Sequence, residues 1–424
     1  MKERSRTLLI ALIVSMAIVG LATTGCAKKA KPVTLSMSYY KQEITQSLPK
    51  LIEAFQKANP GITIETAIYP NDGGATLAAA AASGKLPDIM QQPAYSAVIE
   101  NAKNGYILDL SKQPIMASVI DGAKPSVTYD GKLYALPMDF AGIGIIYNKD
   151  IFAKYNLSPP TTYLELQKVA ETLKKNKVTP FAGLLKENWS IGHFMELLHS
   201  SMLGAKLGND GIMKFVADMN AGAASWDKEV DLPSIFRTMD WYKANMAKNA
   251  VEMAWDQQQA AYIKGEAAMM VQGLWALPNA KDNPSLNSGF VPFPWSNKAE
   301  ENRFFADVDS TFTVSAQSGP EKQAAALKFI NWLSNPEAIK IWTSDIQLTS
   351  TFKGADVSSM PKPFQELMAS VNKVGSYPWV FSMMPTPTWE QAIKNGAHGY
   401  VLGTAKPAAI VKEINESWKA NYKK

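Results

Sequence analysis

The order of patterns between residues 33 and 90 constrains this chain most. Val33 to Met37 alternates as a short strand does, and Gln46 to Ala58 carries Leu48, Leu51, Ile52 and Phe55 at helical spacing. Asn59-Pro60-Gly61 stops that helix, and Ile62 to Ile68 alternates again. Asp72-Gly73-Gly74 opens an Ala-rich helix that ends at Ser83-Gly84, and Leu86-Pro87-Asp88-Ile89-Met90 reads as a third strand. Strand, helix, strand, helix, strand in unbroken succession is the pattern of a parallel sheet with helical crossovers, hence an α/β fold. The chain has 424 residues, and at roughly 150 residues per domain that leaves room for two or three units.

The alternation continues. A helix is expected near Tyr95 to Asn104, a turn at Asp130-Gly131, and a strand over Ile143 to Asn148. Tyr163 to Lys175 is helical, Phe181 to Leu185 strand-like, and Ile191 to Leu203 helical. Leu232 to Met246 is a helix with Asp231 as its cap and Pro233 in its first turn. Gln257 to Lys264 is helical, Ala267 to Gln272 is a strand, and Phe290 to Phe293 is a short one. Val308 to Val314 reads as one strand returning to a sheet. Five helices follow, over Glu321 to Leu333, Pro336 to Trp342, Pro363 to Val371, Thr388 to Tyr400 and Ala408 to Tyr422.

Composition narrows the function classes. Apolar residues make up 46% and charged residues 19%, which excludes a disordered chain and a multi-span membrane protein. Lys and Arg number 43 against 38 Asp and Glu, too small an excess to imply nucleic acid. One cysteine and three histidines leave no disulfide framework and no Cys- or His-rich metal site. No P-loop, HExxH or Gly-x-Ser-x-Gly elbow is present, so no cofactor and no enzymatic reaction is called for.

Residues 1–25 are a signal segment. Lys2, Arg4 and Arg6 form a positive start, and Leu8 to Ala22 is an uncharged, mostly apolar run, short for a membrane span. Thr23-Thr24-Gly25-Cys26 follows and resembles the lipobox of bacterial lipoproteins, with Thr23 standing where that pattern usually has Leu. The resemblance implies that Cys26, the only cysteine, carries the lipid. Residues 26–32, with Lys28, Lys29 and Lys31, then form a tether beside an anionic membrane surface.

Several segments carry a wider resemblance. They are Asn59 to Ile64, Ser83-Gly84-Lys85-Leu86-Pro87-Asp88-Ile89, and Asp130 to Pro137 ahead of Ile146-Tyr147-Asn148-Lys149-Asp150. Further on come Gly265 to Met269, Gly273-Leu274-Trp275, and Ala325 to Asn335 with Pro336-Glu337-Ala338. In this order they resemble the extracellular solute-binding lipoproteins of sugar-type ABC importers, the maltose/multiple-sugar family. The resemblance implies a two-lobed, type II periplasmic-binding-protein-like α/β fold, with a ligand cleft between lobes joined by a multi-strand hinge. Lobe one is then 33–145 plus 303–349, and lobe two 150–300 plus 352–424. It also implies a monomer, held on the extracytoplasmic face of the cell membrane by its lipid anchor. Such a protein passes a carbohydrate to ABC permease transmembrane subunits.

In open parallel sheets, ligands lie beyond the carboxyl ends of strands. Those ends place Tyr40, Gln92 and Asp139 in the first lobe, with Asp309 on the returning strand, and Trp189 and Trp275 in the second. Glu43 follows Tyr40 closely, and Trp379 sits in a Ser-Tyr-Pro-Trp loop. Nine of the eleven tryptophans fall in the second lobe. Aromatic rings match the C–H faces of a sugar, and acids and amides match its hydroxyl rim. Trp275, Trp189, Trp379, Tyr40, Gln92, Asp139, Asp309 and Glu43 are therefore the candidate ligand residues, with an oligosaccharide as cargo. Trp241, Trp332 and Trp418 read as packing. A binder of peptides or amino acids is the alternative. A secreted glycoside hydrolase or lyase built on Asp307 and Asp309 is a more distant one.

Overall fold

The computed structural model describes residues 31–69, 74–277, 286–358, 360–383 and 387–421. Cys26, the signal segment and most of the tether lie outside the described residues, as do Asp72 and Gly73 at the start of the Ala-rich helix.

The described residues form twelve strands, in chain order: β1 Val33–Tyr39, β2 Ile62–Ile68, β3 Ile89–Pro93, β4 Thr128–Tyr129, β5 Lys132–Leu133, β6 Leu136–Pro137, β7 Phe140–Asn148, β8 Thr179–Phe181, β9 Ala267–Gly273, β10 Ser288–Val291, β11 Phe305–Val308 and β12 Ser310–Val314. They form two five-stranded sheets and one hairpin. The first sheet has the order β2-β1-β3-β12-β6, with β1 parallel to β2 and β3, and β12 antiparallel to β3 and β6. The second has the order β10-β7-β9-β8, and β11 also pairs with β7. The hairpin β4-β5 turns on Asp130 and Gly131, both in the left-handed region at φ 47° and 70°, which a two-residue hairpin turn requires.

Helices cover both sheets. Leu48–Ala58 buries Leu48, Leu51, Ile52 and Phe55, so its expected apolar stripe is the face turned inward. Pro320–Trp332 packs its Phe329 on Phe55 at 5.1 Å. In the second lobe, Thr162 and Glu165 form a capping box for Tyr163–Lys175. Asp231 caps Leu232–Ala244 by accepting from the Ser234 amide at 3.2 Å. Asn188–Asn220 is longer than the 191–203 helix the sequence predicts, and it breaks at Gly208, whose φ is 68°. None of the described helices is long and apolar enough to cross a membrane.

The chain passes between the sheets three times. β6 runs into β7 through Met138 and Asp139, and β11 runs into β12 through Asp309. The two crossings are bonded to each other: Met138 N donates to the Ser310 carbonyl at 2.9 Å, and Asp309 N to the Asp139 carbonyl at 3.1 Å. The third crossing lies alongside, where Thr351 Oγ1 donates to the Pro137 carbonyl at 2.6 Å and Phe140 N to Thr349 Oγ1 at 3.0 Å. The single strand expected over Val308 to Val314 is thus two strands in two sheets. Its apolar run does not stop at Asp309 because the backbone stays extended through the crossing. For the same reason the expected borders at residues 145 and 303 fall on the second-sheet side of the crossing, since all of β7 and β11 belongs to that sheet.

Candidate ligand-binding cleft

The carboxyl ends of β1 and β3 and the crossing strands meet at one buried charge. Lys41 is 3% exposed, and its ammonium donates to Asp139 at 2.9 Å and to Asp309, with Glu43 at 3.6 Å. Burial alone would lower the lysine, but Asp139, Asp309 and Glu43 outweigh it and hold the ammonium well above its ordinary value. Burial pushes Asp309 up to about 6, while Lys41 pulls the other way. The other Asp139 oxygen accepts from the Ser310 amide at 2.9 Å and from the Ser310 hydroxyl. Gln91 accepts from the amides of Tyr40 and Lys41, and the Tyr40 hydroxyl donates to the Asp309 carbonyl at 3.4 Å. The acids at these strand ends are therefore gathered around a cation of the chain itself.

Two residues before Asp309, on β11, Asp307 joins the lobes. Its carboxylate accepts from the Tyr95 hydroxyl at 2.8 Å, from the first lobe, and from the Trp379 amide at 3.3 Å, from the second. Burial pushes Asp307 up to about 6 against those hydrogen bonds. Tyr95 is held at φ 58°, an unfavourable conformation for a non-glycine residue.

Trp379 begins an aromatic row. Its own indole N–H donates to the Phe305 carbonyl at 3.1 Å. Its ring meets Trp275 edge-on at 6.1 Å, Trp275 meets His193 at 6.4 Å, and His193 meets Trp189 at 5.6 Å. Trp255 completes the row, 5.4 Å from Trp189. One carboxylate fixes the far end: Glu187 accepts from the Trp189 indole N–H at 2.6 Å and from the Trp255 amide at 3.0 Å. Trp189, Trp255 and Trp275 are half-buried, so each presents part of a ring. A cavity of about 560 Å³ opens beside Trp189 and is lined by Lys186, Glu187, Asn188 and His398 of the second lobe and Gln42 of the first. It lies between the lobes, beyond the strand ends.

The eight candidates are thus placed in three ways. Trp189, Trp275 and Trp379 fall in one row. Tyr40, Glu43, Asp139 and Asp309 converge on Lys41. Gln92 joins neither group: its amide nitrogen donates to Thr313 at 3.0 Å and its oxygen accepts from Asn101 at 2.7 Å, inside the first lobe. The strand-end rule put Gln92 at the right level, but side chains alternate along β3, and its neighbour Gln91 faces Lys41. Sequence reasoning missed Lys41, Tyr95, His193 and Trp255. Lys41 stood beside Tyr40 at a strand end, and Trp255 opens a helix after Ala254; neither carries a spacing that marks it. Three other tryptophans are packing. Trp226 and Trp389 are fully buried, and the Trp418 indole N–H donates to the Met219 carbonyl at 2.9 Å.

Comparison with known proteins agrees with this architecture. Residues 50–369 match the sequence family described as "Bacterial extracellular solute-binding protein". The chain is 25% identical over 314 residues to the "Multiple sugar-binding protein" of Streptococcus mutans, covering 74% of this chain and 73% of that one. It is 20% identical over 382 residues to the "Melibiose/raffinose/stachyose-binding protein MelE" of Bacillus subtilis, covering 89% and 84%. Among solved structures, a "Chitin oligosaccharide binding protein" superposes with a TM-score of 0.78 at 19% identity, covering 92% of this chain and 99% of that one. "SBP RafE in complex with raffinose" gives 0.77 at 21%, covering 92% and 100%. Two α/β lobes, three crossings, a cleft at the strand ends and a match over three quarters of the length lead to one assignment: the chain belongs to the bacterial extracellular solute-binding protein family.

Proposed function

We infer that this protein is the substrate-binding component of an ABC importer and takes an oligosaccharide between its lobes. The observation that carries the reading is the row Trp255–Trp189–His193–Trp275–Trp379, which runs from the cleft cavity to the acids of the crossing strands. The half-buried rings of Trp255, Trp189 and Trp275 suit successive sugar units, and the carboxylates and amides beside them suit hydroxyls. The sugar-binding relatives support the same class of cargo. The ligand closes the lobes only by binding the closed form better than the open one, and contacts from both sides of the cleft supply that difference.

Binding is favoured over hydrolysis by the state of the acid pair. Asp307 is taken up by Tyr95 and Trp379, and Asp309 by Lys41, so neither carboxyl is free to act on a glycosidic bond. The mature chain is anchored on the extracytoplasmic face by lipid on Cys26, acts as a monomer, and docks when closed on the transmembrane subunits of its permease. Replacing Cys26 with Ser releases the protein from the membrane fraction if that anchor operates.

The decisive experiment is calorimetric titration of the mature chain with raffinose, maltotriose and chitotriose, and with tripeptides and amino acids. Saturable binding of one sugar series, weakened in Trp189→Ala and without turnover of the sugar, is the expected result. Binding of peptides with none of sugars would overturn the cargo and leave the two-lobed binder standing.

A further inference from the structure

The second lobe holds another cavity, of about 650 Å³, that shares no lining residue with the cleft. Trp241, Trp295 and Tyr163 form its walls, all half-buried. Each ring is fixed from behind. Trp241 meets Tyr163 at 5.4 Å and Phe181 at 6.0 Å, both edge-on. The Trp295 indole N–H donates to the Glu301 carbonyl at 3.3 Å. Rings already held in place lose little conformational freedom when a ligand settles on them.

Hydrogen-bonding groups stand between these rings. The Tyr163 hydroxyl is linked to Thr238 and Gln167. At the mouth, Arg237 donates to the Ser234 hydroxyl at 2.7 Å and lies 3.6 Å from Asp231. Arg237 and Arg303 are the only arginines beyond residue 6 in a chain that otherwise uses lysine. A rigid fork of donors has therefore been placed where a flexible lysine serves elsewhere. The loop at the mouth is also strained. Glu229 sits at φ 69°, with its carboxylate 2.7 Å from the Lys206 ammonium, and such strain concentrates at ligand clamps.

We propose that this cavity is a second saccharide site, separate from the transport cleft. A pyranose unit lies between the Trp241 and Trp295 rings, with its hydroxyls met by Gln167, Thr238 and Arg237. A purely apolar ligand would strip water from those three groups and give nothing back, and an inorganic ion would leave the rings unused. Met202 in the cavity floor lies on the same helix as Trp189, thirteen residues on. At 1.5 Å per residue that is about 20 Å, far enough for both sites to be filled at once.

The test follows the indole N–H signals of isotope-labelled protein by NMR during titration with maltotriose, raffinose and chitotriose to millimolar concentration. Trp241→Phe and Trp295→Phe assign the two signals. The expected result is a saturable shift of both, with a midpoint that stays put in Trp189→Ala while that of the cleft weakens, and a Trp241 shift that is lost in Trp295→Ala, whose affinity at the cleft is unchanged. The proposal is overturned if these indoles stay still with all three sugars, or if their midpoint weakens together with that of the cleft in Trp189→Ala. Should Trp295→Ala fail to fold, the comparison of wild type with Trp189→Ala decides alone. Movement at Trp295 with silence at Trp189 and Trp275 would sink the cleft reading and leave this one in place.

Discussion

The tryptophans of the aromatic row differ in what they support. Trp189 is half-buried and held through its indole N–H by Glu187, so Trp189→Ala removes a sugar platform and little of the core. Loss of one aromatic contact of roughly 0.5–1.5 kcal/mol corresponds to an affinity about two- to tenfold weaker by calorimetry, with melting near wild type. Trp379 is 4% exposed and bonded to Phe305. Its truncation is expected to cost about 3–5 kcal/mol of stability in denaturant titration, as large buried residues do. Lys41→Met leaves the buried Asp139 and the half-buried Asp309 without their cation, a loss of about 3–5 kcal/mol that eases as pH falls and the carboxyls take up protons. Glu196 gives a cleaner pH signature. Burial pushes it up to about 8, against one hydrogen bond from the Trp226 indole at 3.3 Å. The folded protein holds a proton there that the unfolded chain releases above its ordinary value of 4.5. Stability therefore falls as pH rises from there to about 8, by roughly one kcal/mol per pH unit, and levels off above. Glu196→Gln removes its share of that slope, which denaturation at a series of pH values reads most plainly between about 6 and 8, above the range of Asp307 and Asp309.

At the scale of elements, strand ends and helix starts aim the site. The Trp275 ring folds back over Gly273, the last residue of β9, and a Cβ added there would lie 2.2 Å from that ring. Gly273→Ala therefore displaces Trp275 from the row, and its sugar affinity should fall as far as that of Trp275→Ala. Equal affinities in the two variants check this; a wild-type affinity in Gly273→Ala would show that Trp275 contributes nothing to binding. Elements with local signals were legible in the sequence. β2, the Tyr163–Lys175 helix and the Asp130-Gly131 turn all lie where the pattern puts them. Elements shaped by distant partners were less so. β3 begins at Ile89 rather than Leu86 because pairing with Met37 and Val314 sets its start. β8 covers Thr179–Phe181, ahead of the expected run, because its length is set by pairing with β9.

For the whole molecule, ordered family-like segments made the two lobes legible, but the crossings were not. An extended chain passing from one sheet to another keeps its apolar alternation, so nothing at Asp139 or Asp309 announces a change of sheet. The charge balance of the site was hidden for a similar reason. Lys41 and Asp309 are 268 residues apart, and only the fold shows that the acids already have a cation. Lobe closure predicts two bulk changes. A sugar at about 100 times its dissociation constant adds roughly 2.7 kcal/mol and raises the melting temperature. The radius of gyration in X-ray scattering should fall in the same titration; a melting shift without compaction would show that the ligand binds one lobe alone.

The aromatic row has an optical consequence. Trp189 and Trp255 lie 5.4 Å apart with their planes tilted by 55°, and Trp275 and Trp379 lie 6.1 Å apart and nearly perpendicular. Indoles this close share excitation, and skewed pairs split their absorption into bands of opposite sign in circular dichroism. The protein thus carries an internal gauge of its cleft. A ligand that alters the distance or tilt of these rings changes the spectrum without any attached dye, and Trp189→Phe and Trp379→Phe tell which pair a change comes from.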